Sequence, residues 1–87
     1  MRFEKTYFSR EGRYWLGNEE ESGRHYLGIP ISNAMVDYIE FYWIDDAQYE
    51  SFLRNQDLAF EFAEACRRRE HDDLLVYEPG RDRGTPR

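Results

Sequence analysis

The chain has 87 residues, which suffices for one compact domain and is too short for two. Aspartate and glutamate outnumber lysine and arginine by 18 to 12, and the resulting formal net charge of −6 argues against general binding to nucleic acid. We expect a cytoplasmic protein, because no apolar run approaches roughly 18 residues and the charged N-terminal stretch does not resemble an export signal.

The first part of the chain has the pattern of a β-hairpin followed by a loop. Residues 2–8 alternate and include aromatic and β-branched side chains, which favours a half-buried strand. Turn residues at 9–12 lead to a second short aromatic run at 13–16, so the two runs are expected to pair. Residues 17–23 include three consecutive glutamates and no apolar side chain, which predicts an exposed loop.

Two further segments have the composition of strands. Residues 25–31 are apolar, but Gly28 and Pro30 each weaken a hydrogen-bonded ladder, which favours an edge strand, a bulge or a packed loop. Residues 35–44 present two mainly apolar faces. This pattern predicts a central strand that is covered on both sides or uses one side for binding.

A helix is expected directly after the strand at 35–44. Asp45 and Gln48 fit a capping box, in which each side chain accepts the backbone N–H of the other residue. The helix then continues at helical spacing through Tyr49, Phe52 and Leu53.

A second helical segment follows, and Asn55 or Asp57 is expected to cap either a break or a new helix. Glu64 and Arg68 are spaced to form an i,i+4 ion pair near its end. Its predicted apolar face consists of Leu58, Ala59, Phe62, Ala63, Ala65 and Cys66.

The end of the chain combines a short strand with a polar segment. Residues 74–77 predict a final strand beside the central one, and residues 78–87 contain glycine, proline and charge, which is typical of a flexible tail. The predicted fold is therefore a single α+β domain over residues 1–77. It has a small antiparallel sheet of three to five strands with one or two helices packed on one face.

The densest polar cluster in the sequence surrounds His71. With Asp72 or Asp73, His71 would suit a small metal-dependent or His/Asp hydrolase, as a general base or a metal ligand. A polar helix end is the favoured interpretation, because contiguous residues rarely converge on one ion and no HExxH spacing occurs. We therefore predict no enzymatic activity, no metal and no cofactor.

Other reactive side chains have simple structural interpretations. Cys66 lies on an apolar helix face and is expected to be a buried, inert thiol. Residues 19–21 lack the spacing of a calcium loop and predict a solvated loop, and arginines 67–69 are crowded by carboxylates. His25 would join His71 in a site only if the fold brought the two together.

Acidic and tyrosine side chains alternate from the strand at 35–44 into the following helix, with almost no lysine or arginine. Such a ridge is typical of a surface that docks a basic partner, although it equally fits a solvated acidic face over an aromatic core. The expected partner-binding residues are Asp37, Tyr38, Glu40, Tyr42, Asp45, Asp46, Tyr49 and Glu50.

These observations predict a small acidic protein-binding module. Its most concrete form is an inhibitor, immunity protein or antitoxin that neutralises a basic partner such as a toxin or nuclease. An accessory subunit of a larger assembly is the structural alternative, and it would expose apolar patches instead.

Overall fold

Four antiparallel strands form a sheet in the order β1-β2-β3-β4, in a computed structural model that describes residues 2–32, 37–77 and 85–86. A single 3-10 turn, Asp72–Leu74, follows the helices, and a two-residue strand, β5 (Thr85–Pro86), pairs with β3. The predicted α+β class is confirmed. The strands are β1 (Phe3–Ser9), β2 (Tyr14–Glu19), β3 (His25–Ser32) and β4 (Asp37–Ile44), and the helices are α1 (Asp46–Arg54) and α2 (Gln56–Arg67).

One row of side chains crosses all four strands on the side that the helices cover. Tyr7 is opposite Leu16, Leu16 is opposite Leu27, and Leu27 is opposite Tyr42. Each belongs to the hydrophobic core or packs against it. Because side chains alternate along a strand, this register also determines which residues lie on the opposite face.

The main core lies between the sheet and the two helices. Phe52 is the buried residue of α1, while α2 supplies small side chains that let the helix lie close to β3. The fully buried sheet residues of this core include two tyrosines, Tyr14 and Tyr42, so aromatic rings replace much of the aliphatic volume that a core of this size normally contains. The core consists of Tyr14, Leu16, Leu27, Ile29, Ile31, Tyr42, Ile44, Phe52, Ala59, Ala63 and Cys66.

Both predicted helix caps are present. Asp45 Oδ1 accepts the Gln48 N–H at 2.7 Å and Gln48 Oε1 accepts the Asp45 N–H at 3.0 Å, which completes the capping box. Asn55 ends α1, and its side chain accepts the Asp57 N–H at 3.0 Å at the start of α2. The two helical segments are therefore separate helices.

The positions of two strands differ from the prediction. β3 is an interior strand, since residues His25–Gly28 pair with β2 and the whole strand pairs with β4. Pro30 is tolerated because it lies beyond the last β2 pair, Trp15 with Gly28, where it has no N–H to offer to β2. β4 instead lies at the end of the four-strand order, and residues 33–36, which precede it, lie outside the described residues.

The predicted strand at 74–77 is reduced to one bridge. Leu75 pairs with Tyr42, and the Val76 N–H donates to the Phe41 carbonyl at 2.9 Å. Leu74 and Leu75 both pack against the core, whereas neighbouring side chains of a regular strand point to opposite faces. The predicted tail at 78–87 lies outside the described residues, except that Thr85–Pro86 pairs with β3.

A second aromatic layer lies on the face of the sheet opposite the helices. Phe3 of β1 stacks on Phe41 of β4 with ring centroids 4.1 Å apart, and Tyr26 meets both rings edge-on. A flat sheet would separate β1 and β4 by about 14 Å, which two phenylalanine side chains do not span. The sheet therefore curls towards this face, and Gly17 leaves space for the Tyr26 ring.

Gly17→Ala is expected to lower the free energy of unfolding by about 2 to 3 kcal/mol. An added Cβ would overlap the Glu4 carbonyl oxygen and lie 2.7 Å from the Tyr26 ring. Gly23→Ala is the matched control, because Gly23 has a φ of +72° but nothing within 4 Å of an added Cβ, so only the backbone conformation costs about 1 kcal/mol. Urea denaturation measures both, and equal losses would contradict the steric explanation.

Candidate protein-binding surface

The strand portion of the predicted ridge is divided between the interior and the surface. Tyr38, Glu40 and Tyr42 share the helix-facing side of β4, where Glu40 and Tyr42 are only 6% and 0% exposed. Asp37 is exposed, and its position in the alternation places it on the opposite side of the strand. The eight predicted residues therefore do not form one continuous surface.

Glu40 and Tyr42 belong to an interior polar network. The Tyr42 hydroxyl donates to Glu40 Oε1 at 2.8 Å, and Arg69 Nη1 donates to the same oxygen at 2.6 Å. Tyr42 also lies at the centre of the core. The two residues hold the sheet to the segment after α2, and this architectural role explains why acidic and aromatic side chains occur there.

Arg69 reaches Glu40 from an unusual backbone position. The Arg69 N–H donates to the Cys66 carbonyl and the Glu70 N–H donates to the Ala65 carbonyl, each at 3.0 Å, which forms a Schellman motif at the end of α2. Arg69 has a φ of +64°, a left-handed conformation that glycine normally supplies at this position. The strained backbone aims a guanidinium at the buried carboxylate.

The helical portion of the ridge lies at the surface, at the start of α1. Asp45, Asp46 and Glu50 are exposed, while Tyr49 is half-buried and packs against the core. The Tyr49 ring stacks on His25 with centroids 4.0 Å apart. This half of the ridge is available to a partner.

His25 is a part of this surface that the sequence did not indicate. Its Nε2 lies 3.1 Å from Asp46 Oδ1, and its Nδ1 lies 2.6 Å from Asn18 Oδ1. A cleft of about 540 Å³ opens beside it, with Trp43 as its aromatic wall and the Arg24 guanidinium 4.0 Å from the Trp43 ring centre. The intramolecular cation–π contact occupies that wall.

Three exposed apolar side chains on the helices were also missed. Leu53, Leu58 and Phe60 are each about 43–45% exposed, although Leu53 and Leu58 were predicted on the apolar faces of their helices. Phe52 and Ala59 hold the adjacent buried positions instead. Their exposure could have been predicted, because the helical segments contain more adjacent apolar residues than one buried helix face can accommodate.

Phe60 stands between two depressions lined by carboxylates. One, of about 270 Å³, includes Glu11 and Asp57, and the other, of about 430 Å³, includes Glu61 and Glu64. We call these five residues the Phe60 surface. It places an exposed aromatic ring among acidic side chains that come from both the β1–β2 turn and α2.

The cations of the helical layer are engaged with carboxylates. Arg67 Nη1 binds Glu64 at 2.9 Å. The predicted i,i+4 pair of Glu64 with Arg68 is therefore wrong. Arg68 instead pairs with Glu70 at 2.6 Å. Because Glu11, Asp57 and Glu61 add further negative charge around Phe60, the local balance is acidic.

The remaining candidates for chemistry are the Cys66 thiol, the His71 ring and possible metal ligands. Cys66 is buried, as predicted, and burial raises the pKa of its thiol to about 12, which disfavours the reactive thiolate. The His71 ring stacks on Phe62 with centroids 4.6 Å apart. Within residues 2–32, 37–77 and 85–86, no three His, Cys, Asp or Glu side chains converge as metal ligands.

The burial of Glu19 differs from the prediction, which placed residues 19–21 in a solvated loop. It is 2% exposed, and its carboxylate accepts the backbone N–H groups of Arg2, Glu21 and Ser22 at 2.8–3.0 Å. Hydrogen bonds from Ser22 and Glu21 lower the pKa of Glu19 to about 2. Glu19 is therefore the centre of the β2–β3 turn.

No protein-family model, curated protein or solved structure matches this chain. Among the residues described, neither helix has the length and apolar character needed to cross a bilayer.

Arg69→Ala is expected to lower the free energy of unfolding by about 2 to 3 kcal/mol, because it leaves the Glu40 carboxylate buried without its cation. Arg68→Ala is the matched control, since its pair with Glu70 is more than half exposed and should contribute little to stability. Arg69→Gly should lose about 1 kcal/mol less than Arg69→Ala by relieving the left-handed backbone. Urea denaturation measures all three, and similar losses for Arg68→Ala and Arg69→Ala would contradict the network.

Glu19 is expected to make the protein lose stability in acid. Its pKa is about 2 in the folded chain and 4.5 ordinarily, so its contribution is complete above about pH 4.5 and is lost as the pH falls towards 2. Glu19→Gln should reduce the slope of unfolding free energy against pH in that window by up to one proton, whereas Glu20→Gln, on an exposed side chain, should change it little. Urea titrations between pH 2 and 6 measure the slopes, and a slope unaffected by Glu19→Gln would contradict this role.

Proposed function

We propose that this chain is a binding module for a basic protein partner. Its most concrete form is an inhibitor, immunity protein or antitoxin that neutralises a toxin or nuclease in the cytoplasm. The observation that carries the proposal is the Phe60 surface, in which a ring that is 43% exposed lies between two depressions lined by carboxylates.

The anatomy of this surface suits protein recognition. An apolar anchor surrounded by charged side chains corresponds to the usual arrangement of a binding hot spot with a polar rim. The net charge of −6 favours association with a positively charged partner, since complementary fields raise the rate of encounter. Leu53 and Leu58 add exposed apolar area on the same helical layer.

The exposed start of α1 is a second acidic region that the proposed interface includes. Asp45, Asp46 and Glu50 supply further carboxylates, and Tyr49 supplies a ring that is already held in place. Its hydroxyl lies 2.6 Å from Thr6 Oγ1, so little conformational entropy is lost when a partner contacts it. Glu40 and Tyr42 are left out of the proposed interface because they are buried.

Neutralisation would follow from competition for cations. A nuclease holds the phosphates of its substrate with lysine and arginine side chains. Carboxylates of the Phe60 surface and of α1 would pair with those side chains, while Phe60 packs against apolar parts of the partner. The substrate is then excluded without any chemistry on this chain.

Phe60→Ala is expected to weaken binding to the partner by about tenfold or more, as for a hot-spot aromatic. The measurement uses the tagged protein to capture partners from its native lysate at low and moderate salt, with mass spectrometry, followed by titration of the captured protein. The expected partner is a single basic protein whose retention falls with salt.

Phe8→Ala is the matched control for this experiment. Phe8 is 48% exposed, but it lies on β1 and packs on Trp15, with ring centroids 5.0 Å apart. Its removal should change partner affinity less than twofold. Partner binding that Phe8→Ala abolishes and Phe60→Ala leaves intact would contradict the proposed surface, as would recovery of this chain with only its own copies.

A further inference from the structure

The smaller depression beside Phe60 has features of a binding pocket for one side chain. Its volume of about 270 Å³ is near the lower limit for a small-molecule site, which suits a single side chain better than a cofactor. It lies between the turn that joins β1 to β2 and the first turns of α2. Its lining includes Glu11, Gly12, Tyr14, Gln56, Asp57 and Phe60.

Tyr14 contributes a buried hydroxyl that no described protein group satisfies. The residue is 1% exposed and lines the pocket. Ser9 is a polar neighbour that offsets part of the rise in the Tyr14 pKa, but the two hydroxyls do not meet in a hydrogen bond of ordinary geometry. A buried hydroxyl without a partner costs free energy, so a group that enters the pocket and hydrogen-bonds to Tyr14 would gain stability there.

The groups around this hydroxyl favour a cation. The phenolic oxygen accepts a hydrogen bond, the carboxylates of Glu11 and Asp57 attract positive charge, and the Phe60 ring offers a surface for a methylene stem or a cation–π contact. Burial raises the pKa of Tyr14, with Tyr7 adding to the effect, so the hydroxyl stays neutral at physiological pH.

The Arg67 guanidinium, which reaches the turn beside the pocket, is already occupied. The Arg67 guanidinium donates to the Gly12 carbonyl at 2.9 Å and to Glu64 at 2.9 Å, and its side chain is only 10% exposed. The backbone N–H of Asp57, at the start of α2, is capped by Asn55. These contacts reduce the repulsion that a cation would meet in the pocket.

We propose that this pocket receives one lysine or arginine side chain of the basic partner. The cationic head lies against the Tyr14 hydroxyl and between Glu11 and Asp57, and the stem packs on Phe60. The assignment rests on the proposed function for the identity of the partner, but the pocket's preference for a cation is testable without that partner.

The test titrates the full chain with n-butylammonium and n-butylguanidinium, with uncharged butyramide as the matched probe. Ring signals of Tyr14 and Phe60 in NMR spectra report on the pocket. Both cations are expected to give saturable shifts that weaken with salt, and butyramide none. Butyramide binding equal to that of the cations would overturn the assignment.

Tyr14→Phe separates a role in binding from a role in folding. It is expected to weaken cation binding at least fivefold, while stability to urea stays the same or rises because an unpaired buried hydroxyl is removed. Tyr77→Phe is the control, since Tyr77 is 54% exposed and contacts Phe3 and Phe41 on the opposite face of the sheet. It should leave cation binding unchanged.

The outcomes distinguish the pocket from the proposed function. Cation binding that survives Tyr14→Phe unchanged, or no saturable binding at all, overturns the pocket assignment. Capture of a basic partner that depends on Phe60 but not on the Tyr14 hydroxyl would then leave the proposed function in place. Pocket binding without any captured partner would support the pocket and count against the proposed function.

Discussion

Arg67 joins the hairpin to the helical layer, and the shape of the candidate surface depends on it. Its guanidinium donates to the carbonyls of Gly12 and Arg13 in the β1–β2 turn and to Glu64 on its own helix. The side chain is almost buried, so its charge is offset by these fixed acceptors rather than by water. The turn is thereby held against α2, which creates the depression between Glu11 and Phe60.

Several charged groups that a short acidic chain would normally expose are used in its interior. Glu40 meets Arg69 and Tyr42 between the sheet and the segment after α2, and Glu19 holds the β2–β3 turn through backbone N–H groups. Each carboxylate is surrounded by donors, which offsets the cost of its desolvation. The core of an 87-residue chain is small, and these networks fix connections that apolar packing alone would leave loose.

Features that depend on neighbouring residues, such as the helix caps, were predictable from the sequence. Features that depend on contacts between distant segments, such as burial and strand order, were not. The capping box of Asp45 and the cap at Asn55 depend on residues within three positions, so the pattern was sufficient. Alternation correctly placed Glu40 and Tyr42 on one side of their strand. Which side the helices cover depends on packing between distant segments, and the burial of both residues was therefore missed. Strand order was missed for the same reason, because Pro30 weakens a ladder only where a neighbour needs its N–H.

The distribution of aromatic side chains explains why the helical layer is the better interface. Phe8 and Tyr77 are exposed on the sheet side, but each packs against other rings there. Phe60 is about as exposed and makes no ring contact with the described residues, while each of its two depressions is lined by two carboxylates. An exposed ring gains most from a partner when its own chain leaves it uncovered, since the apolar area is then still available for burial. Phe60 meets that condition, and its carboxylate neighbours select a basic occupant.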